Sequence, residues 1–187
     1  MSPIPDFDHN HVLPPHLGNP VSRAELSPYP CTILELCKTF GTTKERIEIL
    51  KGLVNFRIKM TQMGITNGFQ WLDGSFMSDV EQVENRSPRD IDVVTFYLSH
   101  PSLDSATILK DFPEFVSSSM SKTKYKTDHH IVDVTYSPFV IVENTRYWLQ
   151  LFTHCRNNGV WRGMLRLELN TNVDDQQALT ILNDLEK

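Results

Sequence analysis

Two stretches decide how this chain folds: Phe69-Gln70-Trp71-Leu72-Asp73-Gly74-Ser75-Phe76 and Asp90-Ile91-Asp92-Val93-Val94-Thr95-Phe96-Tyr97-Leu98. The second is dense in β-branched and aromatic residues and predicts the strongest strand of the protein, over 91–98. The first predicts a short strand over 69–72 that ends in a Gly-Ser turn. Only the polar segment 78–89 separates them, too short for a helical crossover of normal length. The pair is therefore expected to lie in a mixed sheet rather than a doubly wound parallel one.

Upstream, Thr32–Phe40 predicts a short helix stopped by Gly41. Thr42 followed by Glu45 has the form of a capping box, and Ile47, Leu50, Val54 and Ile58 recur at helical spacing, with Gly64 placed as a C-terminal stop. A long amphipathic helix over 44–63 follows. Downstream, the pattern predicts a helix over 103–116 starting near Ser102 or Asp104, a third strand over 130–136, a helix over 143–154, a strand over 163–169 and a C-terminal helix over 174–185. Asp174 and Asp175 suit the positive end of that last helix. The order helix, strand, strand, helix, strand, helix, strand, helix gives an α+β fold: a mixed β-sheet with helices packed on it. The first thirty residues hold seven prolines and are expected to be extended. Their Ile4, Phe7, Val12 and Leu13 predict that this lead, 1–30, wraps a single domain formed by 31–187.

Bulk properties narrow the function. The chain has 187 residues, 40% of them apolar and 22% charged, with a formal net charge of −5. That balance is ordinary for a globular domain and argues against a broad electrostatic grip on duplex DNA. No stretch approaches the ~20 apolar residues of a membrane span, and the N-terminus has no secretory pattern, so a cytoplasmic protein is expected. Three cysteines without CxxC spacing predict free thiols rather than a disulfide framework or zinc site.

The chemistry gathers on carboxylates. Asp90 and Asp92 stand two apart on a strand, so both side chains point to one face. Two carboxylates that close repel each other unless a cation or shared proton relieves them, and oxygen ligands suit Mg²⁺ or Mn²⁺. Asp133, inside the apolar run 131–136, is expected to be the third carboxylate of a two-metal site. Gly74 and Ser75 offer backbone amides and a hydroxyl, as an anion-binding turn does. Arg86 and Arg89 either pair with a triphosphate or neutralise Asp79, Glu81 and Glu84. Of the adjacent His129 and His130, at most one can face a substrate. Lys122, Lys124 and Lys126 alternate and would line one face of an extended segment, read as a solvated face ahead of one that meets phosphate or RNA, and Trp148 and Phe152, one helical turn apart, are read as core.

The apolar strand, Gly74-Ser75, a polar spacer, then Asp90-Ile91-Asp92, with Asp133 as third carboxylate, resembles the signature of polymerase-β-like nucleotidyltransferases. The Val12-Leu13-Pro14-Pro15 lead, the Asp73-Gly74-Ser75-Phe76 turn and the Tyr147-Trp148 to Arg162-Gly163 region resemble small bacterial proteins of that superfamily, which extends the likeness over nearly the whole chain. The spacer 76–89 is somewhat longer than usual. The resemblance implies an enzyme that moves a nucleoside monophosphate from an NTP to a hydroxyl acceptor, a protein or RNA. It assigns Asp90 and Asp92 to both metals, Asp133 to the catalytic metal, and Ser75 to phosphate. It also implies a toxin–antitoxin or phage-defence setting with a cognate partner protein. Two rival expectations remain: a synthase of signalling nucleotides, and a non-catalytic nucleotide-binding or antitoxin module on the same fold.

Overall fold

The computed structural model describes residues 4–101 and 104–186. It is an α+β protein with a five-stranded mixed sheet in the order β1-β5-β2-β3-β4. β1 is the two-residue strand Tyr29–Pro30; β2 is Gly68–Asp73, β3 Ile91–Tyr97, β4 Thr127–Asp133 and β5 Leu165–Glu168. β2 runs antiparallel to both β3 and β5, while β3–β4 and β1–β5 are parallel. Residues 74–90 join β2 to β3, more than an antiparallel pair needs. The parallel pair needs a longer return, and residues 98–126 supply it.

The helices are α1 (Ile33–Phe40), α2 (Lys44–Gln62), α3 (Val80–Glu84), α4 (Ser105–Asp111), α5 (Ser118–Tyr125), α6 (Pro138–Phe152) and α7 (Asn172–Leu185). The capping box lies at Thr32 and Glu35 of α1 rather than at Thr42 and Glu45; α2 is capped by Thr43, which accepts from the Arg46 amide. Gly64, with φ +79, ends α2 by letting its own amide reach Thr61 and the Ile65 amide reach Met60, which satisfies two carbonyls the helix would leave open. The α4 helix is shorter than expected, because Pro113 opens a 3₁₀ turn, Pro113–Phe115. Asp104 caps it through the Ala106 and Thr107 amides, and the alternative start at Ser102 lies outside the described residues.

Two differences matter for the site. The segment holding Lys122 and Lys124 is not extended but forms α5, and Lys126 at φ +53 turns the chain directly into β4. As a result β4 begins at Thr127, three residues earlier than the apolar run 130–136 indicated. The final helices and strand shift only at their ends.

α1, α2 and α7 cover one face of the sheet through Leu36, Leu50, Leu53, Ala178 and Leu182, packed on Leu72, Ile91, Val93, Leu165 and Leu167. On the opposite face Trp148 and Phe152 of α6 pack on Trp71, Val94, Phe96 and Val132. Burial of this apolar surface, at about 25 cal/mol per Å², is the main favourable contribution to folding. The lead is tied down: Val12 bridges Ser78, Leu13 is fully buried, and Tyr29 and Pro30 pair with β5.

A chain of polar groups crosses this interior. Arg57 donates to Asp175 at 2.8 Å and to Gln70 at 2.6 Å; Gln70 donates to Thr95 at 3.0 Å. Thr95 then meets Nε2 of His129 at 2.7 Å, and Nδ1 of His129 meets the Phe115 carbonyl at 3.1 Å. A neutral His129 protonated on Nδ1 satisfies every link: Thr95 donates to Nε2 and Nδ1 donates to Phe115. Burial, against the pull of that carbonyl, lowers the His129 pKa to about 3, in keeping with this tautomer. His129 is thus an interior residue of the fold.

Candidate functional site

Strand register assembles the site. Asp73, the last residue of β2, is the cross-strand partner of Asp92, and Asp92 is the partner of Asp128 on β4. Partners on neighbouring strands point to the same face, with strands about 4.8 Å apart. Three carboxylates therefore form a row across β2, β3 and β4, at the edge of the face that packs against α6. Asp90, two residues before Asp92, falls on that side as well. Burial raises the Asp92 pKa, the charges of Asp90 and Asp128 raise it further, and Lys122 and Arg162 pull the other way.

Asp133 does not join this row. It pairs with Tyr97 at the far end of β4, five residues or about 17 Å along the strand from Asp128. An odd separation also puts it on the opposite face. Its oxygen Oδ1 accepts from the Thr135 amide at 2.9 Å and the Thr135 hydroxyl at 2.6 Å. Burial works to raise its pKa, but these bonds and those from Ser99 hold it below the usual value. The carboxylate that the structure brings to Asp90 and Asp92 is Asp128. The sequence hid it because an αL turn at Lys126, invisible to hydrophobic periodicity, starts β4 early.

Gly74 has φ +91 and ψ −172, a backbone region open to glycine alone. A Cβ there would stand 2.6 Å from Oδ2 of Asp92, so glycine is required both for the turn and for the close approach of the carboxylate. Ser75 opens the 3₁₀ turn Ser75–Met77, and both Gly74 and Ser75 line the cleft in front of the carboxylate row. This cleft, of about 390 Å³, is also lined by Asp73, Asp90, Asp92, Asp128, Arg86 and Lys122.

Arg162, which the sequence marked only as part of a region of resemblance and gave no role, holds the turn from behind. It is buried, pairs with Oδ2 of Asp73 through Nη2, and donates to the Gly74 carbonyl at 3.3 Å through Nη1. The other carboxylate oxygen of Asp73, Oδ1, is buried without a hydrogen-bond partner. Burial pushes the Asp73 pKa up to about 8 against the pull of Arg162 and the Gly74 amide. Nothing in the local sequence pairs Asp73 with Arg162, since 89 positions separate them.

The remaining candidates divide. Arg86 lines the cleft and pairs with Glu84 at 2.6 Å, whereas Arg89 is exposed and is not among the lining residues. His130, on the face opposite His129, sits 3.2 Å from Asp128 and packs on Trp148. Lys122 places its ammonium 2.6 Å from Asp90 and 3.1 Å from Asp128.

The donors of this cluster are carboxylate oxygens, whose chemistry suits a hard divalent cation. Their arrangement is built around a different cation, however. Among the described residues no three His, Cys, Asp or Glu side chains are disposed as the ligands of one metal ion. The Lys122 ammonium stands between Asp90 and Asp128 instead.

The chain belongs to the family of unknown function DUF6932, whose profile matches residues 5–168. No curated protein and no solved structure matches it. Among the described residues no helix is long and apolar enough to cross a membrane.

Proposed function

We propose that this chain is a divalent-metal-dependent nucleotidyltransferase of the polymerase-β type, moving a nucleoside monophosphate from an NTP to a hydroxyl acceptor on a protein or RNA. The observation that carries this reading is the convergence, in one cleft, of Asp90, Asp92 and Asp128 with the Gly74–Ser75 turn. Phosphoryl transfer needs such a pairing: anionic oxygens to hold cationic charge, next to amides and a hydroxyl that hold phosphate.

Asp90, Asp92 and Asp128 hold Mg²⁺ or Mn²⁺ in this scheme, in place of the Lys122 ammonium. A bound divalent cation neutralises triphosphate charge and lowers the pKa of the acceptor hydroxyl. The Ser75 amide and hydroxyl bind the distal phosphates at the turn that Gly74 makes possible, and Arg162 keeps that turn in place by fixing Asp73. Arg86 leaves Glu84 to pair with the triphosphate. The acceptor hydroxyl releases its proton to solvent, its oxygen forms a bond to the α-phosphorus, the bond to the bridging oxygen breaks, and pyrophosphate leaves. Asp133 has no part in this scheme.

A second reading, a non-catalytic nucleotide-binding module, is favoured by the Lys122 contact, because an ammonium between Asp90 and Asp128 already relieves part of the repulsion that a metal would relieve. The test is thermal unfolding with Mn²⁺ and each NTP, followed by transfer of α-labelled NTP in a cell lysate. The enzyme reading expects a metal-dependent rise in melting temperature, lost in Asp90→Asn/Asp92→Asn, and label on a macromolecule with release of pyrophosphate. Stabilisation by NTP alone, with no label transferred, identifies the module. No stabilisation by any NTP rejects both.

A further inference from the structure

Lys122 is held at the carboxylates by architecture rather than by chance. It lies four residues after Ser118 on α5, so both project from one helix face. Ser118 donates to Oδ1 of Asp128 while Lys122 contacts Oδ2 of the same residue and Oδ2 of Asp90. The left-handed Lys126 joins α5 to β4 without a loop, which fixes the distance from Lys122 to Asp128. The lysine side chain is nevertheless half exposed, so its ammonium can swing into the cleft without repacking.

The charge count explains why it would move. With Asp73 paired to Arg162, three carboxylates, Asp90, Asp92 and Asp128, face a single ammonium. The cluster in its ionised form is left with two negative charges, and one divalent cation in place of the ammonium leaves only one. Asp73, whose buried Oδ1 has no hydrogen-bond partner, lines the same cleft.

We propose that Lys122 is a built-in counter-ion of this site: it holds Asp90 and Asp128 together before the cation arrives, competes with that cation, and on displacement turns to the phosphates of the nucleotide. Resting on the reading that the cluster takes a divalent cation, this makes Lys122 a residue that couples metal entry to nucleotide binding. Metal alone must expel the lysine into solvent. Metal with a triphosphate gives the ammonium a new anionic partner, so the two ligands bind better together than apart.

The full chain is titrated with Mn²⁺, first alone and then with ATP, and free Mn²⁺ is read by electron paramagnetic resonance in wild type, Lys122→Met, Lys122→Arg and Asp92→Asn. Lys122→Met is expected to bind Mn²⁺ alone at least tenfold more tightly than wild type, and to lose most of the enhancement that ATP gives to wild type. Lys122→Arg, which keeps the charge, is expected to stay within a few-fold of wild type in both. If Mn²⁺ binds wild type and Lys122→Met equally and Asp92→Asn abolishes it, the cation site stands and the counter-ion role falls. A weaker Mn²⁺ affinity in Lys122→Met likewise overturns the role. If no variant binds Mn²⁺, the cation site and the counter-ion fall together.

Discussion

Gly74→Ala offers a sharp test of how the backbone builds this site. The native φ of +91 with ψ −172 lies in a region that costs a residue with a Cβ about 1–3 kcal/mol. The new methyl would meet Oδ2 of Asp92 at 2.6 Å and its Cγ at 3.0 Å. Asp92 has a short side chain on a central strand and little freedom to retreat, so overpacking adds about 1–3 kcal/mol. The sum is about 2–6 kcal/mol, which at a urea m-value of about 2 kcal/mol per M displaces the unfolding midpoint by about 1–3 M. Gly159→Ala is the control: its φ is also positive, at +68, but nothing lies within 4 Å of the added Cβ, so strain alone remains, about 1–2 kcal/mol. Urea unfolding followed by tryptophan fluorescence measures both. A loss below about 0.5 kcal/mol for Gly74→Ala, or one no larger than that of Gly159→Ala, refutes the packing of Asp92 against the turn.

The interior gives two more predictions. His129 has a folded pKa of about 3, below its ordinary 6.5, so the unfolded state takes up the proton first as pH falls. Its contribution is present above pH ~6.5 and is lost toward pH ~3 at up to about 1.4 kcal/mol per pH unit. Unfolding free energies over that range should show this slope in wild type, and its absence in His129→Gln; equal slopes in the two proteins count against a neutral His129. Arg57→Met strands Asp175 and Gln70 in the interior and should lower stability by about 3–5 kcal/mol, with Arg57→Met/Asp175→Leu recovering much of it. If denaturant titration finds the double variant no better than the single one, the loss comes from packing rather than from the orphaned charge.

How much was legible in the sequence follows the range of the forces involved. The strands holding Gly74–Ser75 and Asp90–Asp92 were readable because β-branched density and turn residues are local signals, and α2 because Ile47, Leu50, Val54 and Ile58 recur over about three turns. The lead's Val12 and Leu13, apolar among prolines, also announced that they would be buried, as they are. What failed was non-local or conformational. The α5 segment, Ser118–Tyr125, has almost no apolar face, and the helix stands because it packs between α2 and β4, so alternating lysines looked extended. That one misreading moved β4 by three residues and put Asp133 in the place of Asp128. Asp73 looked like part of a turn, and its role rests on Arg162, far along the chain. Arg86 and Arg89 could not be told apart without knowing which way α3 leads the chain past the cleft.

Which carboxylates share the site is measured by a single comparison. Asp128→Asn and Asp133→Asn are equal in chemistry and sit on the same strand, but at opposite ends, on opposite faces and with different partners. Mn²⁺-dependent stabilisation by the best NTP, read as the shift in melting temperature at fixed ligand concentration, is recorded for both beside wild type. The structure predicts that Asp128→Asn removes the metal-dependent shift, while Asp133→Asn keeps NTP and Mn²⁺ affinity within a few-fold of wild type. Loss of the shift in Asp133→Asn with its retention in Asp128→Asn would contradict the register-built row of Asp73, Asp92 and Asp128 as the functional site.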